Sequence, residues 1–209
     1  PATAADGWYV NLSAGSTSTP DSEINVPLVA PLVLESSQDR GPVVLGAIGK
    51  RFSSRLRVEG ELSYRKNDFN DIKATGTTTV SGVTITGTNI PVALAGDFSS
   101  VGFMANLAYD LMNEGKFHPY VLAGLGGAIV SVNDAVVGGL ALADDDDFVF
   151  AGQIGVGVNY DYSDKVVFGI SYRFLGTSDD AALTGSDGTT NFDIEYHNHS
   201  VLAGLTYKF

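Results

Sequence analysis

The fold this sequence predicts is all-β: an eight-stranded antiparallel up-and-down transmembrane β-barrel with short turns at one end and four long connections at the other. Three observations carry that prediction. Segments of about ten residues alternate between apolar and polar or small side chains, as a strand does when its two faces meet different surroundings. The links between those segments are alternately short and long, as in membrane barrels with tight turns on one side and long loops on the other. Aromatic residues (Trp8, Phe52, Tyr109, Phe117, Tyr160 and Tyr207) collect at the short-turn ends, where an interfacial girdle belongs. No apolar run approaches the roughly 20 residues of a transmembrane helix, but a spanning strand needs only about 9–11 and is apolar on one face.

The first strand is read at residues 8–15, with Trp8, Val10, Leu12 and Ala14 on one face and Tyr9, Asn11, Ser13 and Gly15 on the other. The second runs over 42–52; both of its faces are apolar or small, so its facing stays open. After a turn at 53–55 comes the clearest case, 56–65, where Arg57, Glu59, Glu61, Ser63 and Arg65 alternate with apolar residues or Gly. The fourth strand spans 100–111, with Val101, Phe103, Ala105, Leu107, Tyr109 and Leu111 aligned, and a turn at 112–116 leads to the fifth, 117–129. The sixth covers 148–160, and a turn at 161–165 leads to the seventh, where Val166, Phe168, Ile170, Tyr172 and Phe174 share a face. The eighth is expected over 192–209. The remaining gaps run to about twenty or thirty residues, far above ordinary hairpin loops. An even strand count puts both ends of the chain on the same side, the periplasmic side if the short turns lie there and the long loops are extracellular.

The chain has 209 residues, 25 Gly, no Cys and a formal net charge of −12, which fits a single domain over 1–209. Without Cys it has neither a disulfide scaffold nor thiolate metal sites. Residues 1–6, with the Ala-Thr-Ala of a signal-cleavage pattern, read as a periplasmic N-terminal extension left after removal of a signal peptide. At the other end Val201, Ala203, Leu205, Tyr207 and Phe209 fall on one face. That ending resembles the C-terminal assembly signal of bacterial outer-membrane barrels, which implies recognition by the barrel-assembly machinery through the last strand.

Two further segments, the run Gly7-Trp8-Tyr9-Val10 and the run Pro119-Tyr120-Val121-Leu122-Ala123-Gly124-Leu125-Gly126, extend the likeness over most of the chain. The sequence resembles the small eight-stranded outer-membrane barrels of the OmpA-like and Opa-like superfamily, and within it the outer membrane protein beta-barrel domain and surface-antigen family. The resemblance implies an outer-membrane location in a Gram-negative envelope, contact with outer-membrane lipid and lipopolysaccharide, and a surface role in adhesion, host interaction or envelope integrity. It implies no catalytic motif and no cofactor.

An eight-stranded barrel has an interior just wide enough for side chains to fill. Arg57, Glu59, Glu61 and Arg65 point there, joined by Arg173 and by Asn106, Asp110, Gln153 and Asn159. Buried charges must be paired, so these residues read as a salt-bridged plug. A narrow ion or small-solute path gated by the same pairs is the alternative. Glycines 102, 155, 157, 169 and 204 are expected to make room for the long polar chains.

The long connections hold most of the acid: Asp21, Glu23, Glu35, Asp39, Asp68, Asp71, Asp97, Asp134, Asp144 to Asp147, Asp179, Asp180 and Asp187, against Arg40, Lys66 and Lys73. Such a field disfavours nucleic acid and favours cationic partners or divalent ions. Asp144, Asp145, Asp146 and Asp147 are the candidates for a metal, since Ca²⁺ takes several carboxylate oxygens. Contiguous residues of an extended chain point in opposite directions and no EF-hand spacing is present, so the run reads as a solvated acidic loop rather than a metal site. Apolar stretches at 24–34 and 136–142, and a pair of β segments about Ser81-Gly82, mark either strands continuing past the bilayer or a surface for a partner: another copy, a host molecule or a neighbouring envelope protein.

Catalysis is not expected. His118 lies by a short turn, and His197 and His199 sit on the nominal lipid face with Ser200 opposite, whereas an activated serine must lie within hydrogen-bond reach of its base. An outer-membrane lipid hydrolase is therefore the least favoured reading. Gly124-Leu125-Gly126-Gly127 lacks the Lys and following helix of a phosphate-binding loop. A soluble lipocalin-like barrel with reversed facing is the main fold alternative.

Overall fold

The computed structural model describes residues 7–18, 22–26, 32–38, 40–80, 83–92, 94–112, 114–137, 140–177, 181–184, 191–194 and 197–209, with side chains described at 7–18, 40–67, 99–112, 114–131, 146–177 and 197–209. The strands are β1 (Trp8–Ser18), β2 (Ser22–Val26), β3 (Leu32–Gln38), β4 (Gly41–Arg51), β5 (Leu56–Val80), β6 (Val83–Val92) and β7 (Leu94–Asp110). They continue as β8 (Phe117–Val137), β9 (Leu140–Asp161), β10 (Val166–Thr177), β11 (Ala181–Thr184), β12 (Asn191–Ile194) and β13 (His197–Lys208). Eight of them close an antiparallel ring in the order β1-β4-β5-β7-β8-β9-β10-β13. The last seam is β13 on β1, in continuous register from Tyr9↔Lys208 to Ser18↔His199. Closure leaves no open edge, so the backbone groups are paired within the ring, as lipid requires.

Two of the three short turns repeat one construction. In Phe52-Ser53-Ser54-Arg55-Leu56 the N–H of Leu56 donates to Ser53 Oγ at 3.0 Å, and in Tyr162-Ser163-Asp164-Lys165-Val166 the N–H of Val166 donates to Ser163 Oγ at 3.1 Å. Serine hydroxyls often close turns in this way. The turn between β7 and β8 instead uses Gly115 at φ +83°, a backbone conformation that favours glycine.

The outer wall is apolar. Val10, Leu12, Ile48, Val58, Leu62, Phe103, Leu107, Leu125, Ile154, Ile170 and Leu205 are all exposed on it. On β5 the exposed apolar positions run from Val58 to Tyr64, a stretch within the about 9–11 residues that a tilted strand spends in a bilayer. One end of the belt carries Trp8, Phe52, Tyr109, Phe117 and Tyr207, all exposed. At the other end Tyr64, Val101, Ile129 and Phe148 form one cross-strand row.

Two expectations need correction. The sixth strand begins at Leu140, the fifth reaches Val137, the third reaches Val80 and the fourth starts at Leu94. Much of the supposed loop is strand: β5 has 25 residues, β8 has 21 and β9 has 22. Those stretches lack the strict alternation of apolar and polar residues that marks the rest of each strand. Secondly, residues 191–194 pair with 181–184 in a separate hairpin, and the last barrel strand starts at His197. Phe192 and Ile194 keep the alternating spacing, but which strand they pair with is a non-local matter. The facing of β4, left open by its sequence, is settled by an apolar patch of the interior. Val43, Leu45, Ala47 and Leu202 form a buried apolar cluster inside the ring, which is why β4 reads as apolar on both faces.

Beyond the bilayer, β5 collects extra strands: β3 pairs with it at Phe69 to Gly76 and β6 at Ile72 to Val80. The pair of segments expected about Ser81-Gly82 is the β5–β6 ladder, with Val80 opposite Val83. The 24–34 stretch holds the paired strands β2 and β3. Residues 1–6 lie outside the described residues.

Candidate functional site in the barrel interior

Period-two alternation turns Arg57, Glu59, Glu61, Ser63, Arg65 and Asn67 of β5 inward, and all are buried. With Arg173 and Asp110, the buried interior carries Arg57, Arg65 and Arg173 against Glu59, Glu61 and Asp110. Guanidinium and carboxylate charges therefore balance, three against three, among the described residues.

The charges form two layers. Nearer the short turns, the Arg57 guanidinium donates to Glu59 Oε1 at 3.0 Å and to Asp110 Oδ1 at 3.0 Å and 3.2 Å. Asp110 also accepts from Arg51 at 2.7 Å, and Tyr9 donates its hydroxyl proton to Glu59 at 2.6 Å. The Tyr120 ring lies 4.8 Å from the Arg57 guanidinium, close enough for a cation–π contact.

In the next layer Glu61 Oε2 accepts from Asn106 at 2.6 Å, from Gln153 at 3.2 Å and from Arg173 in direct contact. Gln153 also donates to Asn106 Oδ1 at 2.7 Å. Glu61 is on β5 and Arg173 on β10. In the ring order β1-β4-β5-β7-β8-β9-β10-β13 these strands stand four places apart out of eight. The ion pair therefore crosses the full diameter of the lumen. Arg65 belongs to neither layer; it donates to Ser63 Oγ at 2.7 Å, above them. The long-connection end holds a neutral knot in which Thr17 donates to Asn198, and Ser200 donates to Asn198 at 2.9 Å with its oxygen 3.2 Å from that of Thr17.

Space for these side chains comes from glycine on the adjacent strand, in register. Tyr9 pairs with Gly49, Asn106 with Gly124, Tyr120 with Gly157, Arg173 with Gly155 and Asn159 with Gly169. A Cβ at Gly157 would lie 2.7 Å from the Tyr120 ring, and one at Gly155 would lie 3.2 Å from Arg173 Cγ. A Cβ at Gly102 would likewise lie 2.8 Å from Ser63 Oγ, and one at Gly204 would overlap Ser13 Oγ. The large interior side chains lie flat over bare backbone, and that is how eight strands hold them.

Sequence reasoning did not single out Tyr9, Arg51 or Tyr120 as parts of this network. Tyr9 had a usable signal, since it shares the polar face of β1 with Asn11 and Ser13. Arg51 and Tyr120 had none, because only register brings them to Asp110 and Arg57.

Among the described residues the other candidates are not gathered into a site. Asp144 to Asp147 all belong to β9. Of the four, only the Asp146 and Asp147 side chains are described: Asp146 is exposed, and Asp147 Oδ1 accepts the N–H of Phe148 at 2.8 Å. His199 and Ser200 face opposite sides of the wall, with His199 Nδ1 2.5 Å from the Tyr172 hydroxyl. His197 stacks on Phe174, and His118 faces Asp161 at 3.3 Å. The C-terminal Val201, Leu205, Tyr207 and Phe209 are exposed on the outer wall, with Ala203 on the same face.

A closed, side-chain-filled ring of eight strands with an apolar outer belt and aromatic rims is the architecture of a membrane barrel. The family model for the outer membrane protein beta-barrel domain matches residues 1–209. The chain belongs to that family. Its place is the bacterial outer membrane. Among solved structures, this outer membrane barrel is similar to the Neisserial surface protein A, with a TM-score of 0.57, 18% identity and 97% of each chain covered. It is also similar to OprG of Pseudomonas aeruginosa, with a TM-score of 0.54, 16% identity, 98% of this chain and 96% of that one. At those identities the likeness is one of fold. An uncharacterized protein of Brucella abortus is 29% identical over 130 residues, which is 51% of this chain and 46% of that protein. The chain thus spans about half the length of the curated relatives it matches.

Proposed function

We propose that this protein is a closed outer-membrane barrel that acts through its acidic, strand-rich surface end, and that it is not an enzyme. The observation that carries the proposal is the Glu61–Arg173 pair spanning the lumen from β5 to β10. A crossbar held by Asn106 and Gln153 as well, above a second charged layer, leaves the exposed end as the working surface. In this reading both termini and the short turns are periplasmic, and the long connections are extracellular. The extended β5, with β3 and β6 attached to it, is a platform projecting from the barrel. Its acids favour a cationic surface or host partner in adhesion, or divalent bridging to neighbouring lipopolysaccharide in envelope integrity. Recognition by the barrel-assembly machinery through Val201, Ala203, Leu205, Tyr207 and Phe209 belongs to the same reading.

The deciding measurement is planar-bilayer conductance of the refolded protein beside Glu59→Ala and Glu61→Ala variants. The proposal expects no steady conductance from the native chain. A defined conductance that those substitutions alter would make the lumen the active part and the protein a narrow pore. Replacing Asp144, Asp145, Asp146 and Asp147 by Asn, which removes four acids of the surface end, is then expected to leave the barrel folded while weakening binding of a polycation to expressing cells.

A further inference from the structure

The rim at the short turns carries an arrangement that neither the lumen nor the acidic surface end uses. Two carboxylates at this rim are drawn inward, while Glu114 and Asp164 stay exposed in the turns: Asp110 is held by Arg51 and Arg57, and Asp161 by Lys208 at 2.8 Å and His118 at 3.3 Å. The outward-facing cations are left against rings instead. Lys50, paired across the ladder with Trp8, has its ammonium 5.7 Å from the Trp8 ring centre and 5.3 Å from that of Phe52. Lys165 lies 5.9 Å from the Tyr207 ring, and Arg55 reaches the Tyr109 hydroxyl at 3.4 Å. Among the described residues no carboxylate pairs with Lys50, Arg55 or Lys165. Arg55 and Lys165 occupy the same place in the two serine-closed turns, aromatic-Ser-x-basic-aliphatic. The arrangement is therefore repeated around the rim.

We propose that this rim binds the phosphate of anionic phospholipids, with Lys50 between Trp8 and Phe52 as its principal site. The rings sit at the edge of the apolar belt, where aromatic side chains favour the headgroup level. A lysine stem covers apolar surface while its ammonium reaches toward the headgroups. Held over two ring faces and unpaired by protein acid, the Lys50 charge is complementary to a phosphate at that depth. In the cell this rests on the short turns being periplasmic, where the leaflet is phospholipid.

Trp8 is the only tryptophan, so its fluorescence reports this site alone. The native protein is refolded into neutral vesicles containing a small fraction of either phosphatidylglycerol or phosphatidylcholine carrying a headgroup-level spin-label quencher. Trp8 quenching should show about a fivefold preference for the anionic label, the factor expected of one basic residue at an anionic surface. Lys50→Gln should bring the two labels to parity, while Lys50→Arg and Lys116→Gln, the latter on the remote β7–β8 turn, should keep the preference. Equal quenching in the native protein overturns the proposal, and so does a preference that survives Lys50→Gln; the native comparison decides even if a variant fails to insert. Vesicles present the same lipid on both sides, so orientation does not enter. Orientation is read separately: the chain has no Cys, and Ser54→Cys should escape an impermeant maleimide in intact cells. Labelling there would move the site to the other leaflet without touching the vesicle result.

Discussion

Removing the Glu61 carboxylate is the sharpest test of how the interior is held. In Glu61→Ala, the Arg173 guanidinium, whose side chain is only 6% exposed, loses its carboxylate, and Asn106 and Gln153 lose an acceptor. Gln153 keeps its bond to Asn106, so the loss is dominated by the stranded charge. Breaking a buried pair from one side costs about 3–5 kcal/mol, a large part of the roughly 5–15 kcal/mol that holds a domain together. The reverse truncation, Arg173→Met, strands Glu61 and should cost a similar amount. The double variant strands neither, and a buried pair replaced by apolar groups is often close to neutral. The two changes should therefore be strongly non-additive, with a coupling energy of at least ~2 kcal/mol. Reversible urea unfolding of vesicle-inserted protein, followed by the Trp8 emission, measures all four states of the cycle. If the single variants each lie within about 0.5 kcal/mol of the native protein, or if their costs simply add, the crossbar is not an energetic unit and the reasoning fails.

Three further expectations concern the same barrel. Gly157→Ala puts a Cβ 2.7 Å from the Tyr120 ring and should destabilise by about 1–3 kcal/mol through overpacking; trimming the ring in Tyr120→Leu should recover most of that in the double variant's urea midpoint. Tyr9→Phe deletes the 2.6 Å hydrogen bond to Glu59 and should cost about 1.5–3 kcal/mol, the usual worth of a bond to a charged group; an unchanged midpoint would show that Arg57 alone satisfies that carboxylate. Leu45→Ala empties part of the interior cluster formed with Val43, Ala47 and Leu202 and should cost about 2–5 kcal/mol, visible as earlier loss of the folded band when samples are heated before electrophoresis.

The barrel strands were legible because their two faces meet opposite solvents. On β5 the alternation of Arg57, Glu59, Glu61 and Arg65 with Val58, Leu62 and Tyr64 marks a wall between an apolar and a polar side. The aromatic ends and the alternately short and long connections favour lipid outside over the reversed facing of a soluble barrel. The facing of β4 was not legible, since Val43, Leu45 and Ala47 look like lipid-facing residues and in fact line the inside. Strand ends were not legible either. Past Arg65, β5 continues for fifteen residues to Val80 without the contrast that alternation needs.

The sequence by itself determined that the chain makes a membrane barrel, which face of most strands meets lipid, and which charged residues must be enclosed. Those follow from local period-two patterning, read together with the aromatic ends, the alternately short and long connections and the terminal Phe209 that favour a membrane barrel over a soluble one. The tertiary structure decided which enclosed groups meet. Glu61 and Arg173 are 112 positions apart, and only ring closure sets β5 opposite β10. Tyr120 finds Gly157 only because the β8–β9 ladder has that register. A shift of one residue would turn every side chain of a strand to the wrong face. Strand register is fixed by the whole closed ring, and no short stretch of sequence contains it.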